Sequence, residues 1–393
     1  MLNIKIFFWV LALVALCLAQ NTRLILPQGR GHFHTALTNE EWVDTSRLDP
    51  FNSSHVRRIM ISRFDPVPRS HCPQLIEVPY FPTVTAAFED EILADYGWPR
   101  DLTARFHHRV CNVNSTVLGR RSKNKRWPLA LFSSGLNTTR LFSNHLAQEI
   151  ASHGFTVITI DHPYDTDVVE FPNGDVIFGG RVKRPKNETD TDTSSVEHAL
   201  EVRARDASFV LDQLGVRESE NAVMFGHSFG GAASATALLN DKRFRAGVNL
   251  DGRMFGPVLN ASLGSPSRPQ AYILWGSDST LPHSSFTDPS WTQFWESLNS
   301  SANVDFRKEF TIKNSSHGSY WDPNILADIA GIREELSKTT KESLIGPIPG
   351  QRVWEILGRY LPAFFSYALG EKPEDVVLKE EVKEFPEVKI LRG

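Results

Sequence analysis

From Trp127 onward, continuous apolar runs alternate with stretches of helical periodicity. The runs Pro128–Ser133, Phe155–Asp161, Ala222–Gly226, Ala246–Asp251, Gln270–Gly276 and Phe306–Lys313 predict strands buried on both faces. A strand with one wet face would instead alternate apolar and polar positions. Between them, Leu141–His153, Ser195–Leu214, Gly230–Asn240 and Trp291–Leu298 predict helices. A further helix over Arg352–Leu369 lines up Val353, Ile356, Leu357, Tyr360, Leu361 and Phe364 on one apolar face. Strands alternating with helices predict an α/β fold with a mostly parallel central sheet and helices on both faces. Residues 20–126, rich in turn formers and short apolar runs such as Val56–Arg63, predict strands and loops leading into a core over 127–370. The charge-rich residues 371–393 are expected to form a surface tail.

The first residues, MLNIKIFFWVLALVALCLAQ, follow a different pattern. Lys5 precedes an apolar run from Ile6 to Leu18 that is short for a membrane span, and Cys17 and Ala19 suit cleavage before Gln20. Residues 1–19 therefore read as a secretory signal, and an extracellular location is expected. No later apolar run reaches the length of a transmembrane helix. Seven N-x-S/T sequons, at Asn52, Asn114, Asn137, Asn187, Asn260, Asn299 and Asn314, fit a secreted glycoprotein. Beyond the leader two cysteines remain, Cys72 and Cys111, which are either one bridge or two buried thiols.

Composition narrows the function. Over 393 residues, 42 Lys and Arg nearly balance 46 Asp and Glu, so no basic field for nucleic acid exists. Local basic runs, Gly119–Arg126 and Arg181–Lys186, read as solvated loops, with contact to an anionic surface as the alternative. Three cysteines exclude a four-cysteine zinc site, and there is no HExxH, EF-hand or P-loop pattern. No cofactor or metal is expected.

Residues 222–234 read AVMFGHSFGGAAS, which is G-x-S-x-G between an apolar strand and an Ala-rich helix. A nucleophilic serine needs a sharp turn at the strand's end, so positions two residues to either side must lack bulk. The following helix turns free N–H groups toward developing negative charge. Ser228 is thus the expected nucleophile of an α/β-hydrolase fold. That architecture orders its partners Ser, acid, His along the chain. Of thirteen histidines only His283 and His317 follow Ser228 with room for an acid between. His317, just past the strand Phe306–Lys313, is the expected base. Asp251 and Asp278 both end strands, where catalytic groups gather, and position slightly favours Asp278. The oxyanion hole should use the N–H of Phe229, directly after the nucleophile, and of Leu136 in the loop Ser133–Asn137. His227 should point away from Ser228 and pack beneath the turn.

The segments GHSFGGA, RFRAGVNLDGRMF and the strand ending near NSSHG resemble the platelet-activating factor acetylhydrolase family of plasma type (group VII phospholipases A2) and its secreted fungal relatives. The resemblance runs over Trp127–His317 and is most specific over Gly226–Phe255. It implies an esterase that cleaves the short sn-2 acyl group of a glycerophospholipid through an acyl-enzyme, without a metal. It also places the acid on Asp251 instead of Asp278, and the oxyanion donors on Leu136 and Phe229. One departure stands out: Ser134 precedes Gly-Leu where the family often has His, which implies a different substrate preference.

Phe286, Trp291, Phe294, Trp295 and Leu298 form an aromatic stretch that is either core or the wall of an acyl pocket or lipid-docking face. The Gly256–Arg268 stretch could border the same pocket. Alternatives to the phospholipid reading are a carboxylesterase for another extracellular or secondary-metabolite ester, and a catalytically dead hydrolase fold used for binding.

Overall fold

The structure is a computed structural model and describes residues 22–113, 120–122, 125–186, 191–278 and 282–393. Residues 1–19, expected to form a secretory signal, and the sequons at Asn114 and Asn187 lie outside the described residues. Main-sheet strands are β1 (Phe33–Asp49), β2 (Asn52–Pro68), β3 (Leu129–Ser133), β4 (Thr156–Asp161), β5 (Ala222–His227), β6 (Phe244–Leu250), β7 (Gln270–Asp278), β8 (Val304–Lys313) and β9 (Val388–Arg392). Among the described residues they form one sheet in the order β9-β8-β7-β6-β5-β3-β4-β2-β1. Strands β3 to β8 pair in parallel, so their C-terminal ends share one edge. The β1–β2 hairpin and β9 add antiparallel flanks.

The parallel strands are apolar throughout because helices cover both faces. Along β5, Val223 and Phe225 face one side while Ala222 and Met224 face the other. Helices α1 (Asn144–Ser152) and α5 (Gly350–Ala368) pack on the first face. Helices α2 (Ser194–Gln213), α3 (Phe229–Asn240) and α4 (Pro289–Ser300) pack on the second. Each fully buried Leu, Ile or Phe in these layers contributes about 1.5–3 kcal/mol. This is the α/β-hydrolase fold, with the predicted mostly parallel sheet.

One expectation needs correction. Residues 371–393 are not a surface tail: Val377, Leu378, Phe385 and Val388 are buried in the core, and β9 pairs with β8. The aromatic stretch is mostly core, since Trp291, Phe294, Trp295 and Leu298 are buried on the second face. Only Phe286 is exposed, under the Arg392 guanidinium at 4.3 Å. Outside the main sheet, Leu24–Ile25, Leu75–Pro79 and Phe106–Cys111 form a small three-stranded sheet. Cys72 and Cys111 are disulfide-bonded there, with Cα atoms 5.6 Å apart. Closing a loop of that length removes chain entropy worth about 3–4 kcal/mol. No described helix is long and apolar enough to cross a membrane.

Candidate active site

Ser228 sits between the end of β5 and the start of α3 with φ 57° and ψ −125°. A non-glycine residue in that region costs on the order of 1–3 kcal/mol, so its surroundings must hold it. Its N–H donates to the Leu250 carbonyl at 2.8 Å. The glycines two residues to either side are required by close approach. A Cβ on Gly226 would meet the Gly230 backbone, and one on Gly230 would meet the Ser133 carbonyl. The turn therefore packs directly on the end of β3, and the N-terminus of α3 opens at the serine.

Asp251 follows β6 with φ 61°. Asn249 braces the turn, accepting from the Gly252 N–H at 2.7 Å and donating to its carbonyl at 2.6 Å. The Trp291 indole donates to the same carbonyl at 2.7 Å. The carboxylate is buried and takes two imidazoles. His317 Nδ1 lies 2.7 Å from Oδ2, and His283 Nδ1 lies 3.1 Å from Oδ1. Burial opposes ionisation of Asp251, but the bonds from His283 and His317 outweigh it and hold the carboxyl well below the usual range.

His317 opens a short 3₁₀ turn, His317–Tyr320, just past β8, and its side chain is 52% exposed. His227, beneath the serine turn, has its Nε2 2.9 Å from the His317 carbonyl and its ring 4.6 Å from the His317 ring. Burial pushes the His227 imidazole down to about 3. It is therefore neutral and donates, fastening the His317 loop to the end of β5. Asp278, the last residue of β7, has neither imidazole as a hydrogen-bonded partner. Its N–H donates to Ser315 and its carbonyl accepts from Asn314, while among the described residues its carboxylate has no hydrogen-bonded partner.

Leu136 and Phe229 line one cavity with Ser228, Arg184, Val196 and Phe255, of about 350 Å³. The Leu136 loop is held from behind by Arg203, a fully buried residue of α2. Its guanidinium makes a bidentate pair with Asp165 at 2.6 and 2.7 Å. The same group donates to Ser133 Oγ at 3.0 Å, to the Ser134 carbonyl, and to the Gly135 carbonyl at 3.1 Å. A trans peptide points its N–H opposite its C=O, so gripping the Gly135 carbonyl aims the Leu136 N–H away from Arg203. Arg203 also stacks on the Phe229 ring at 4.7 Å. Ser134 turns its hydroxyl onto the Thr138 carbonyl at 2.6 Å and closes the loop from within.

The residues expected from the sequence are thus gathered at one sheet edge; Asp278 ends β7 on that edge too, but the imidazoles bond Asp251 instead. Two were missed. Arg203 lies at helical spacing with buried Val196, Ala199, Leu200 and Ala207, and a lone cation on an apolar face was the available signal. His283 was weighed only as a base. Its second partner, Asp288, lies five residues on, a spacing with no distinctive signature.

A strained serine at a strand–helix turn, a buried aspartate bonded to a half-exposed histidine and a loop of aimed N–H groups, on an α/β-hydrolase fold, define a carboxylic ester hydrolase. The sequence model of the family described as platelet-activating factor acetylhydrolase, isoform II, matches residues 105–169 and 196–326. A probable 1-alkyl-2-acetylglycerophosphocholine esterase from Arthroderma benhamiae is 37% identical, over 97% of this chain and 98% of its own. The platelet-activating factor acetylhydrolase of Bos taurus is 26% identical over 33% of this chain and 36% of its own. The chain belongs to the platelet-activating factor acetylhydrolase family. A ferulic acid esterase from Streptomyces cinnamoneus shares the fold at a TM-score of 0.71 and 23% identity, covering 94% of this chain and 99% of its own.

Proposed function

We propose that this esterase hydrolyses the short sn-2 acyl ester, acetyl above all, of a glycerophospholipid, with Ser228 as nucleophile, His317 as base and Asp251 as acid. The Asp251–His317 contact of 2.7 Å, one strand from a serine held at φ 57°, carries the reading. Ser228 Oγ attacks the ester carbonyl as its proton passes to the His317 imidazole. The carbonyl oxygen gains negative charge and accepts from the Leu136 and Phe229 N–H groups. Collapse breaks the ester bond and leaves an acyl-serine, while His317 gives its proton to the departing lyso-phospholipid oxygen. Water, activated by His317, then releases the acid. Asp251 holds Nδ1–H of the imidazole and stabilises the imidazolium.

Two features favour a phospholipid over another ester. Arg184 and Arg253 line the cavity that contains Ser228, bringing two cations to where a phosphodiester would lie. The cavity is also small, which suits a short acyl chain. The leader at residues 1–19, the disulfide and the sequons support action outside the cell. Asn137, Asn260, Asn299 and Asn314 are exposed, as glycan acceptors must be.

A fluorophosphonate probe tests the assignment, since it labels only an activated serine. The wild-type protein should label and release acetate from a 2-acetyl glycerophospholipid. Ser228→Ala should lose both, by several orders of magnitude in rate, and retain its thermal transition. Labelling that persists in Ser228→Ala would refute the assignment.

A further inference from the structure

We infer that His283 is a permanently charged positioning residue, an imidazolium that joins Asp288 to Asp251 and so fixes the carboxylate that holds His317. The inference rests on the proposed roles of Asp251 and His317. Its evidence is geometric. His283 Nδ1 lies 3.1 Å from Asp251 Oδ1, and His283 Nε2 lies 2.9 Å from Asp288 Oδ2. A neutral imidazole has one donor and one acceptor, whereas ionised carboxylates only accept. Both ring nitrogens must therefore donate, which requires the doubly protonated cation.

The surroundings fix the ring in place. It packs on Trp291 at 4.3 Å between ring centroids, and its side chain is only 19% exposed. Asp288 is the N-cap of α4, its Oδ1 accepting from the Ser290 N–H at 2.7 Å. The carboxylate of Asp251 is thus tied through His283 to a helix terminus. Burial alone would disfavour the cation, but the bonds to Asp251 and Asp288 outweigh it and push the imidazole up to about 10.

The consequence concerns the base. A fixed positive charge on one oxygen of Asp251 offsets part of the field that the carboxylate exerts through its other oxygen, where His317 is held. The other titratable groups around it are His227, Tyr320, Asp278, whose charge also acts on Tyr320, and Glu309, which accepts from Ser285. His227 is held neutral by burial, and burial raises the Tyr320 phenol well above its ordinary value.

Asparagine places an amide nitrogen where histidine has Nδ1, so His283→Asn preserves the donor to Asp251 and removes the charge. The acid limb of kcat/KM on a 2-acetyl glycerophospholipid should move upward by about one pH unit in His283→Asn. A purely structural role would leave the limb in place, and a limb coincident with the wild type overturns the inference. A second measurement needs no His283 variant. In ¹⁵N-labelled Ser228→Ala protein, both His283 nitrogens should stay protonated from pH 5 to pH 9. Titration of that ring within the range overturns the inference as well. If Ser228→Ala proves active, the nucleophile assignment fails instead, and the nitrogen shifts still report on His283.

Discussion

Arg203 offers the sharpest separation of stability from catalysis. Arg203→Met removes one buried guanidinium and strands the Asp165 carboxylate, itself buried, without its bidentate partner. Breaking a buried pair from one side costs about 3–5 kcal/mol, because an uncompensated charge remains. The Ser134 and Gly135 carbonyls also lose their donor, so the peptide plane that carries the Leu136 N–H is free to rotate. Loss of one oxyanion donor typically lowers kcat about 10²–10³-fold with little change in KM. The double variant Arg203→Met/Asp165→Leu removes the stranded charge and should recover most of the stability, since apolar replacement of a buried pair is often neutral. It should not recover kcat, because the Ser134 and Gly135 carbonyls still lack the guanidinium that aims the Leu136 N–H. Thermal denaturation and steady-state kinetics on p-nitrophenyl acetate measure the two quantities separately. If kcat returns together with stability in the double variant, Arg203 merely supports the fold and the aiming argument is wrong.

Asp251→Asn should lower turnover by about four orders of magnitude, as loss of an orienting carboxylate does, while Asp278→Asn should stay near wild type at equal thermal stability. The opposite ranking would return the acid to the end of β7. Burial pushes the Asp167 carboxyl up to about 7, and it shares a hydrogen bond with Glu89, which burial and the Asp167 charge raise well above the usual carboxyl range. The folded state therefore binds more protons than the unfolded chain between about pH 4 and pH 7, so this pair's contribution to stability falls as pH rises through that window. Glu89→Gln should raise the urea midpoint at pH 8 more than at pH 5, and equal shifts at the two pH values would refute the shared-proton account.

The strands and helices of the core were legible because burial on both faces leaves unbroken apolar runs. All six expected parallel strands lie within two residues of the observed ones at both ends; Ala246–Asp251 and Phe306–Lys313 begin two late because Arg245 and Asp305 interrupt their runs. The C-terminal segment was not legible for the converse reason. Val377, Leu378, Phe385 and Val388 are separated by charged residues, and a short antiparallel edge strand buries only part of its length. At the site, Ser228 was readable because its turn forces glycine at fixed offsets. Asp251 and Asp278 were not separable by position, since both end neighbouring parallel strands, and it was the RFRAGVNLDGRMF segment that favoured Asp251. Arg203 and His283 act through partners distant in sequence, which no local pattern encodes.

The strand order explains why these distant groups meet. Strands β5, β6, β7 and β8 are consecutive neighbours and parallel, so the segments following them open on one edge. They deliver Ser228, Asp251, His283 and His317 respectively. With the acid on β6, directly beside the nucleophile strand, the loop after β7 lies between Asp251 and the start of α4. A carboxylate there would face Asp251 across a few ångströms with like charge, which a buried site does not tolerate. A cation is what that position requires, and His283 supplies it, with Asp288 balancing its charge from the helix terminus. Placing the acid on β6 and a histidine after β7 are thus two parts of one electrostatic arrangement. A carboxylate after β7 would compete with Asp251 for the imidazole of His317, and an apolar residue there would leave one oxygen of a buried carboxylate without its donor.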